Sequence, residues 1–171
     1  RNLADRKNIS LSISYPFSIN KWWSVYANTS VYNTQYDAEF EEGKTINLNA
    51  TSFTFYGQNT ISLPADFKLQ ISGFYSAPGI WGGTYESGSI HGIDVGVQKQ
   101  IFNEKGNIKL TLTDIFRGMP WTGVSEFGGL LIRASGGWES RQIRLNFSYR
   151  LGNDQMKAAR KRKTGLQDEA K

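Results

Sequence analysis

Residues Ser140–Lys171 read SRQIRLNFSYRLGNDQMKAARKRKTGLQDEAK, and the two halves of this stretch obey different rules. From Ile143 to Leu151 every second residue is apolar. Ile143, Leu145, Phe147, Tyr149 and Leu151 fall on one side, and Arg144, Asn146, Ser148 and Arg150 on the other. Successive side chains of an extended chain point to opposite faces, so this is a strand with one greasy and one wet side. From Gly152 onward the alternation stops. Six bases (Lys157, Arg160, Lys161, Arg162, Lys163 and Lys171) stand there against three acids (Asp154, Asp168 and Glu169). The chain divides accordingly into a patterned body, residues 1–151, and a basic tail, residues 152–171.

The same period of two runs upstream through the body. Ile9, Leu11, Ile13, Tyr15 and Phe17 alternate with Ser10, Ser12 and Ser14; Trp23, Val25, Ala27, Thr29 and Val31 alternate with Ser24, Tyr26, Asn28 and Ser30. Further strands are expected around Phe67–Tyr75, Ile93–Ile101 and Ile108–Leu112. In the segment INLNATSFTFYGQNTISL, Ile46 and Leu48 share one parity while Phe53, Phe55, Ile61 and Leu63 share the other. A bulge or a change of environment near Ala50–Ser52 would produce that slip.

Connections alternate between short (around Asn20, Pro64–Asp66, Asn103–Asn107) and long (Asp37–Lys44, Pro78–Ser89, Arg117–Gly137). Tight turns at one end and long loops at the other, joining about seven strands, are the pattern of a transmembrane β-barrel. An odd count suits such a barrel poorly, and if the tail lies in the periplasm both the first and the last strand run downward. Earlier strands are therefore expected ahead of Arg1.

Composition agrees with this reading. Of 171 residues 39% are hydrophobic, yet 5 Trp, 8 Tyr and 10 Phe place much of the apolar content in large rings suited to strands and wet boundaries. No run of about 18 apolar residues is present to form a spanning helix. The sequence holds 0 Cys and a single His, His91, and no glycine-rich phosphate loop opens a helix. Glu41 with Glu42, and Asp94 with Asp114, lack the spacing of paired catalytic carboxylates. No enzyme, cofactor or metal site is expected. Strands such as Asn8–Phe17 and Arg141–Leu151 reach the roughly 9–11 residues that a tilted spanning strand needs. The other reading of the same alternation is a soluble antiparallel β-sandwich acting as a binding module.

The segments WESRQIRLNFSYRLGN and KAARKRKTGLQDEAK, with NKWWSVYANTSVYNTQY and NIKLTLTDIFRG upstream, resemble the C-terminal part of TonB-dependent-receptor-like outer-membrane β-barrel proteins from Bacteroidota. The resemblance implies an all-β, antiparallel transmembrane barrel of about 22 strands, of which this chain supplies about seven. It also implies an N-terminal plug, a TonB box through which the TonB system energises import, and often a carboxypeptidase-regulatory-like domain, all upstream of these residues. The expected partners are outer-membrane lipid, the remainder of the barrel with its plug, and the TonB system. The working expectation is an outer-membrane transporter for an unknown ligand. A non-transporting barrel for surface assembly or adhesion is the alternative.

Candidate site residues follow from this frame. Ile143, Leu145, Phe147 and Tyr149 are expected to face lipid, and Arg144, Asn146, Ser148 and Arg150 the lumen, where the arginines contact an anion or are paired within the barrel. Trp81, Tyr85 and Trp121 in the long loops offer stacking surfaces to a ligand, or else pack on neighbouring loops. The basic tail invites a nucleic-acid reading, but a periplasmic position excludes that partner; headgroup contact or plain solvation is expected instead.

Overall fold

The computed structural model describes residues 4–41, 44–81, 85–127 and 129–151, and every regular element in them is a strand. In chain order these are β1 (Ala4–Asn20), β2 (Trp23–Glu41), β3 (Lys44–Leu63), β4 (Phe67–Ser76), β5 (Gly79–Trp81), β6 (Tyr85–Ser87), β7 (Ile90–Ile101), β8 (Gly106–Thr113), β9 (Trp121–Phe127), β10 (Leu130–Gly136) and β11 (Gln142–Tyr149). They form two antiparallel sheets. A seven-stranded wall has the order β1-β2-β3-β4-β7-β8-β11, and a four-stranded outer sheet has the order β10-β9-β6-β5. The wall is not closed: β1 and β11 are its two edges. The basic tail, residues 152–171, lies outside the described residues.

Tight turns hold the wall together at one end. Ala65 and Asp66 between β3 and β4, and Phe102, Asn103 and Glu104 between β7 and β8, adopt positive φ angles of 52–68°. Short polar residues visit that region most readily. Between β1 and β2 the Asn20 side chain caps the turn by accepting the Trp22 N–H at 3.0 Å.

Cross-strand register converts seven separate alternations into two continuous faces. Leu11 sits opposite Val31 and Val31 opposite Phe53; Ile71 sits opposite Val95 and Val95 opposite Leu112, which sits opposite Ile143. All of these lie on one apolar face. The residues between them (Ser12, Ser30, Thr54, Ser72, Thr111, Arg144) lie on the other. The apolar face is open: Ile9 is 76% exposed and Ile143 77%, while the buried hydrophobics among the described residues are only Ala38 and Ile46. A soluble sandwich would cover this face with its second sheet. The outer sheet does not do so, and the sandwich reading is set aside.

On β3 the apolar band runs from Phe53 to Leu63. Ten steps of about 3.3 Å, tilted by about 40°, give a height of about 25 Å, which matches the apolar band of membrane barrels. Rings mark its two ends. Trp22 and Trp23 stack at 6.0 Å and Phe102 meets Tyr149 edge-on at 5.8 Å near the tight turns; Phe53 and Tyr75 lie 5.5 Å apart at the far end. The Lys99 ammonium sits 4.5 Å from the Phe67 ring centroid, again at the turn end.

The three connections expected to be long loops are corrected, and the two explanations of the parity slip are separated. Asp37–Lys44 is not a long loop, because β2 continues to Glu41 and β3 starts at Lys44, so the hairpin projects well past the apolar band. Pro78–Ser89 and Arg117–Gly137 are not irregular loops; they contain β5, β6, β9 and β10, paired into the outer sheet. No bulge interrupts β2 and β3 at Ala50–Ser52, where pairing is continuous from Trp23–Ile61 to Glu39–Thr45. The parity slip is a change of environment. Beyond the band the outward side carries Asn33, Gln35, Asp37, Asn47 and Asn49, and the opposite side buries Thr34, Ala38, Ile46 and Ser52. The last strand also ends earlier than its pattern: β11 stops at Tyr149, so Arg150 and Leu151 follow it.

Candidate functional site

The polar face of the wall is laced by short side-chain contacts, both across strands and along them. Ser12 and Ser30 share a hydrogen bond of 2.7 Å, Asn28 donates to Ser14 at 2.7 Å, and the Tyr56 hydroxyl donates to Gln58 at 3.0 Å. On β11, Arg144, Asn146 and Ser148 occupy this face opposite Thr111, Lys109 and Asn107. The Arg144 guanidinium donates twice to Gln142 Oε1, at 3.0 and 2.7 Å. Lys109 reaches further. Its ammonium donates to Gln70 Oε1 at 2.6 Å, passing over β7 at Gly96, where a Cβ would stand 3.3 Å from the Lys109 chain. Glycine is what lets the lysine lie across the strand.

Arg150 does not belong to that row. Its backbone N–H donates to the Lys105 carbonyl at 2.8 Å, which fixes the chain to the β7–β8 turn. Its side chain lines a polar hollow with Gln98, Gln100, Asn107 and Ser148. Ile143, Leu145, Phe147 and Tyr149 share the opposite, apolar face and are all exposed.

The two long connections converge in the outer sheet. Register places Trp81 opposite Tyr85, and the pairing of β6 with β9 and of β9 with β10 sets Tyr85, Trp121, Leu130 and Ile132 on the same face. The three aromatics named from sequence therefore share a surface. Tyr85 leans over Gly123, and the Trp121 ring covers Gly136, filling the space that a side chain would occupy. The charges Glu86, Glu126 and Arg133 fall on the reverse face. Trp81 and Trp121 are exposed, Tyr85 is half-buried, and Ser125 on the same face is buried, so the two tryptophans are its accessible part.

The outer sheet is tied to the wall at two places. Near β5, the Ala77 N–H donates to the Phe53 carbonyl at 2.9 Å, and Ser52 Oγ donates to the Ala77 carbonyl at 3.1 Å. Near β9 the tie is Asp114, which is 0% exposed with a φ of 44°. Its carboxylate accepts the Gly118 N–H at 2.9 Å and the Ser140 hydroxyl, while its own N–H donates to Asp94 Oδ1 at 2.8 Å. The His91 N–H donates to the Gly118 carbonyl at 3.0 Å. Gly118 is required there, because any side chain would collide with the His91 carbonyl and ring. Sequence spacing sets Asp94 and Asp114 aside only as paired catalytic carboxylates. The β7–β8 pairing brings them together as a structural node, and the TDIFRG motif, an Asp leaving a strand four residues before a Gly, is the signal that was available.

A family model described as an outer membrane protein beta-barrel family matches residues 1–149. No curated protein and no solved structure matches the chain. With an all-antiparallel wall, an open apolar band of bilayer height and a family match over nearly the whole body, the chain belongs to the outer membrane protein beta-barrel family.

Proposed function

We propose that the chain forms part of the wall and outer mouth of an outer-membrane transporter resembling the TonB-dependent receptors of Bacteroidota, taking up a ligand not yet known. In this reading Ile143, Leu145, Phe147 and Tyr149 face lipid; Arg144, Asn146 and Ser148 face the lumen, with Arg150 at its inner mouth. Trp81, Tyr85 and Trp121 meet the ligand first, from outside. The basic tail lies in the periplasm. The chain supplies a path and a grip, and no bond-making chemistry.

The observation that carries this reading is the wall itself: an apolar band about 25 Å tall backed by a continuous polar face. Its edges β1 and β11 present backbone groups that lipid cannot satisfy. Further strands pair with them and complete the barrel, together with a plug and the TonB system. The exposed aromatic surface on the outer sheet favours one other reading, a barrel whose outer sheet attaches to a surface partner.

Single cysteines test the wall. Asn146→Cys reacts with a water-soluble maleimide in intact membranes, and Leu145→Cys reacts only after detergent is added; equal labelling would refute the two-faced assignment. Solute depletion from the medium separates the two functions. A transporter has a solute whose depletion requires both this gene and TonB. An attachment protein leaves depletion unchanged and loses surface binding when Trp81 and Trp121 become Ala.

A further inference from the structure

The polar face carries its charge unevenly. On β4, β7, β8 and β11, Lys68 sits opposite Gln98, Gln98 opposite Lys109, and Lys109 opposite Asn146. The next row on the same face is Gln70, Gly96, Thr111 and Arg144. Three cations, Lys68, Lys109 and Arg144, thus lie in two consecutive rows. By register Lys109 and Arg144 are diagonal neighbours, their backbones about 7–8 Å apart, with the ammonium reaching toward Gln70 and the guanidinium toward Gln142. Lys68 stands two strand spacings from Lys109, about 10 Å.

Among the described residues no carboxylate forms a salt bridge with them. The carboxylate that the four strands contribute there is Asp94, which lies in the row beyond Arg144 and whose Oδ1 accepts the Asp114 N–H at 2.8 Å. Lys109 and Arg144 are held by neutral amides, those of Gln70 and Gln142. Such bonds orient a cation and leave its charge in place. Like charges directly opposite on a sheet oppose folding; these three are diagonal or two strands apart, so their repulsion is modest, and an anion among them would relieve it. The middle of the patch is Gly96, over which the Lys109 chain lies on its way to Gln70, so that its ammonium stands among the amides of the neighbouring strands.

We propose that this patch is a binding site for a small anionic solute carrying carboxylate or phosphate groups. Lys68, Lys109 and Arg144 supply the charge, and Gln98 and Asn146 supply amide hydrogen bonds. The patch measures about 10 Å by 8 Å. That extent fits a compact polyanion better than an extended acidic segment of protein. The proposal rests on the polar face lining the lumen.

The test is equilibrium dialysis of citrate and of inorganic pyrophosphate against the barrel completed by the strands that pair with β1 and β11, reconstituted in uncharged phosphatidylcholine vesicles. Saturable binding of either probe is expected. Lys109→Gln and Arg144→Gln should each weaken it about tenfold, the loss of one charge-assisted hydrogen bond. Lys109→Arg should retain it, and Lys7→Gln on β1, outside the patch, should leave it unchanged. No saturable binding, or an equal loss from Lys7→Gln, overturns the site. Binding of an oligoglutamate peptide in place of both small anions overturns the solute and assigns the patch to an acidic segment. If Asn146→Cys still labels from water while neither anion binds, the anion site fails and the transporter reading stands.

Discussion

Strands β2 and β3 contain two regions that share one register and reverse their polarity. In the lower region Val25, Val31, Phe53, Phe55 and Ile61 are on the outward side, with Ser30, Thr54 and Thr60 behind them. In the upper region Asn33, Gln35, Asp37, Asn47 and Asn49 are outward, and Ala38 and Ile46 are buried on the reverse side. The backbone pairing does not change at the boundary, so the solvent does. In the proposed reading the outward side below it meets hydrocarbon and the outward side above it meets water, and the apolar residues move to the side where the strands can be covered. The upper outward side has its own polar lacing: Asn33 donates to Asn49 at 2.7 Å and to Thr51 at 3.0 Å. A parity slip without a bulge is therefore a marker of where a strand leaves the bilayer.

The sharpest way to break this comparison is a charge on each side of the boundary. Ile71→Arg, on the outward side at mid-height of the band, should destabilise the completed barrel in vesicles by about 2–4 kcal/mol, read as the urea midpoint. Asn47→Arg, on the same outward side, should change it by no more than about 0.5 kcal/mol. Equal losses would mean that no bilayer edge lies between them. The same contrast on β11 is Leu145→Arg against Asn146→Arg, with Phe147→Arg in between because Phe147 is closer to the interfacial ring pair of Phe102 and Tyr149.

Next in size is the node that ties the outer sheet down. Asp114→Ala leaves the Gly118 N–H and the Ser140 hydroxyl without their acceptor, a loss of about 2–3 kcal/mol. Limited proteolysis should then cut within 121–136 before it cuts the wall. Simultaneous cleavage of both would show that the two sheets unfold together. Ile46→Ala removes one of the few buried apolar side chains and should cost about 2 kcal/mol. A cost near zero would mean that the upper reverse side is not packed. The smallest effect is expected for Asn47→Leu, with little change in vesicles; a large stabilisation would place that residue in lipid.

Much of the wall was legible in the sequence. Its strands show as alternation because the period of two is a local property of an extended backbone, and the tight turns at Pro64–Asp66 and Asn103–Asn107 show as polar breaks between alternating runs. The outer sheet was hidden. Its strands are short, of 3, 3, 7 and 7 residues, and are interrupted by Gly79, Gly123 and Gly136, so each piece looks like loop until β9 pairs with both β6 and β10. In the sequence Trp81, Tyr85 and Trp121 stand as separate stacking rings, and only the pairing puts them on one surface.

The sequence by itself determined that this chain makes a two-faced antiparallel wall, which residues belong to each face of the last strand, and the resemblance to membrane barrels. Tertiary structure decided the rest. It paired Asp94 with Asp114, set Lys68, Lys109 and Arg144 in neighbouring rows, and turned the parity slip of β3 into an exit from the band. Alternation is written in residues two apart along one strand. Neighbourhood across strands depends on register, which is set by which turn closes each hairpin and by residues tens of positions away.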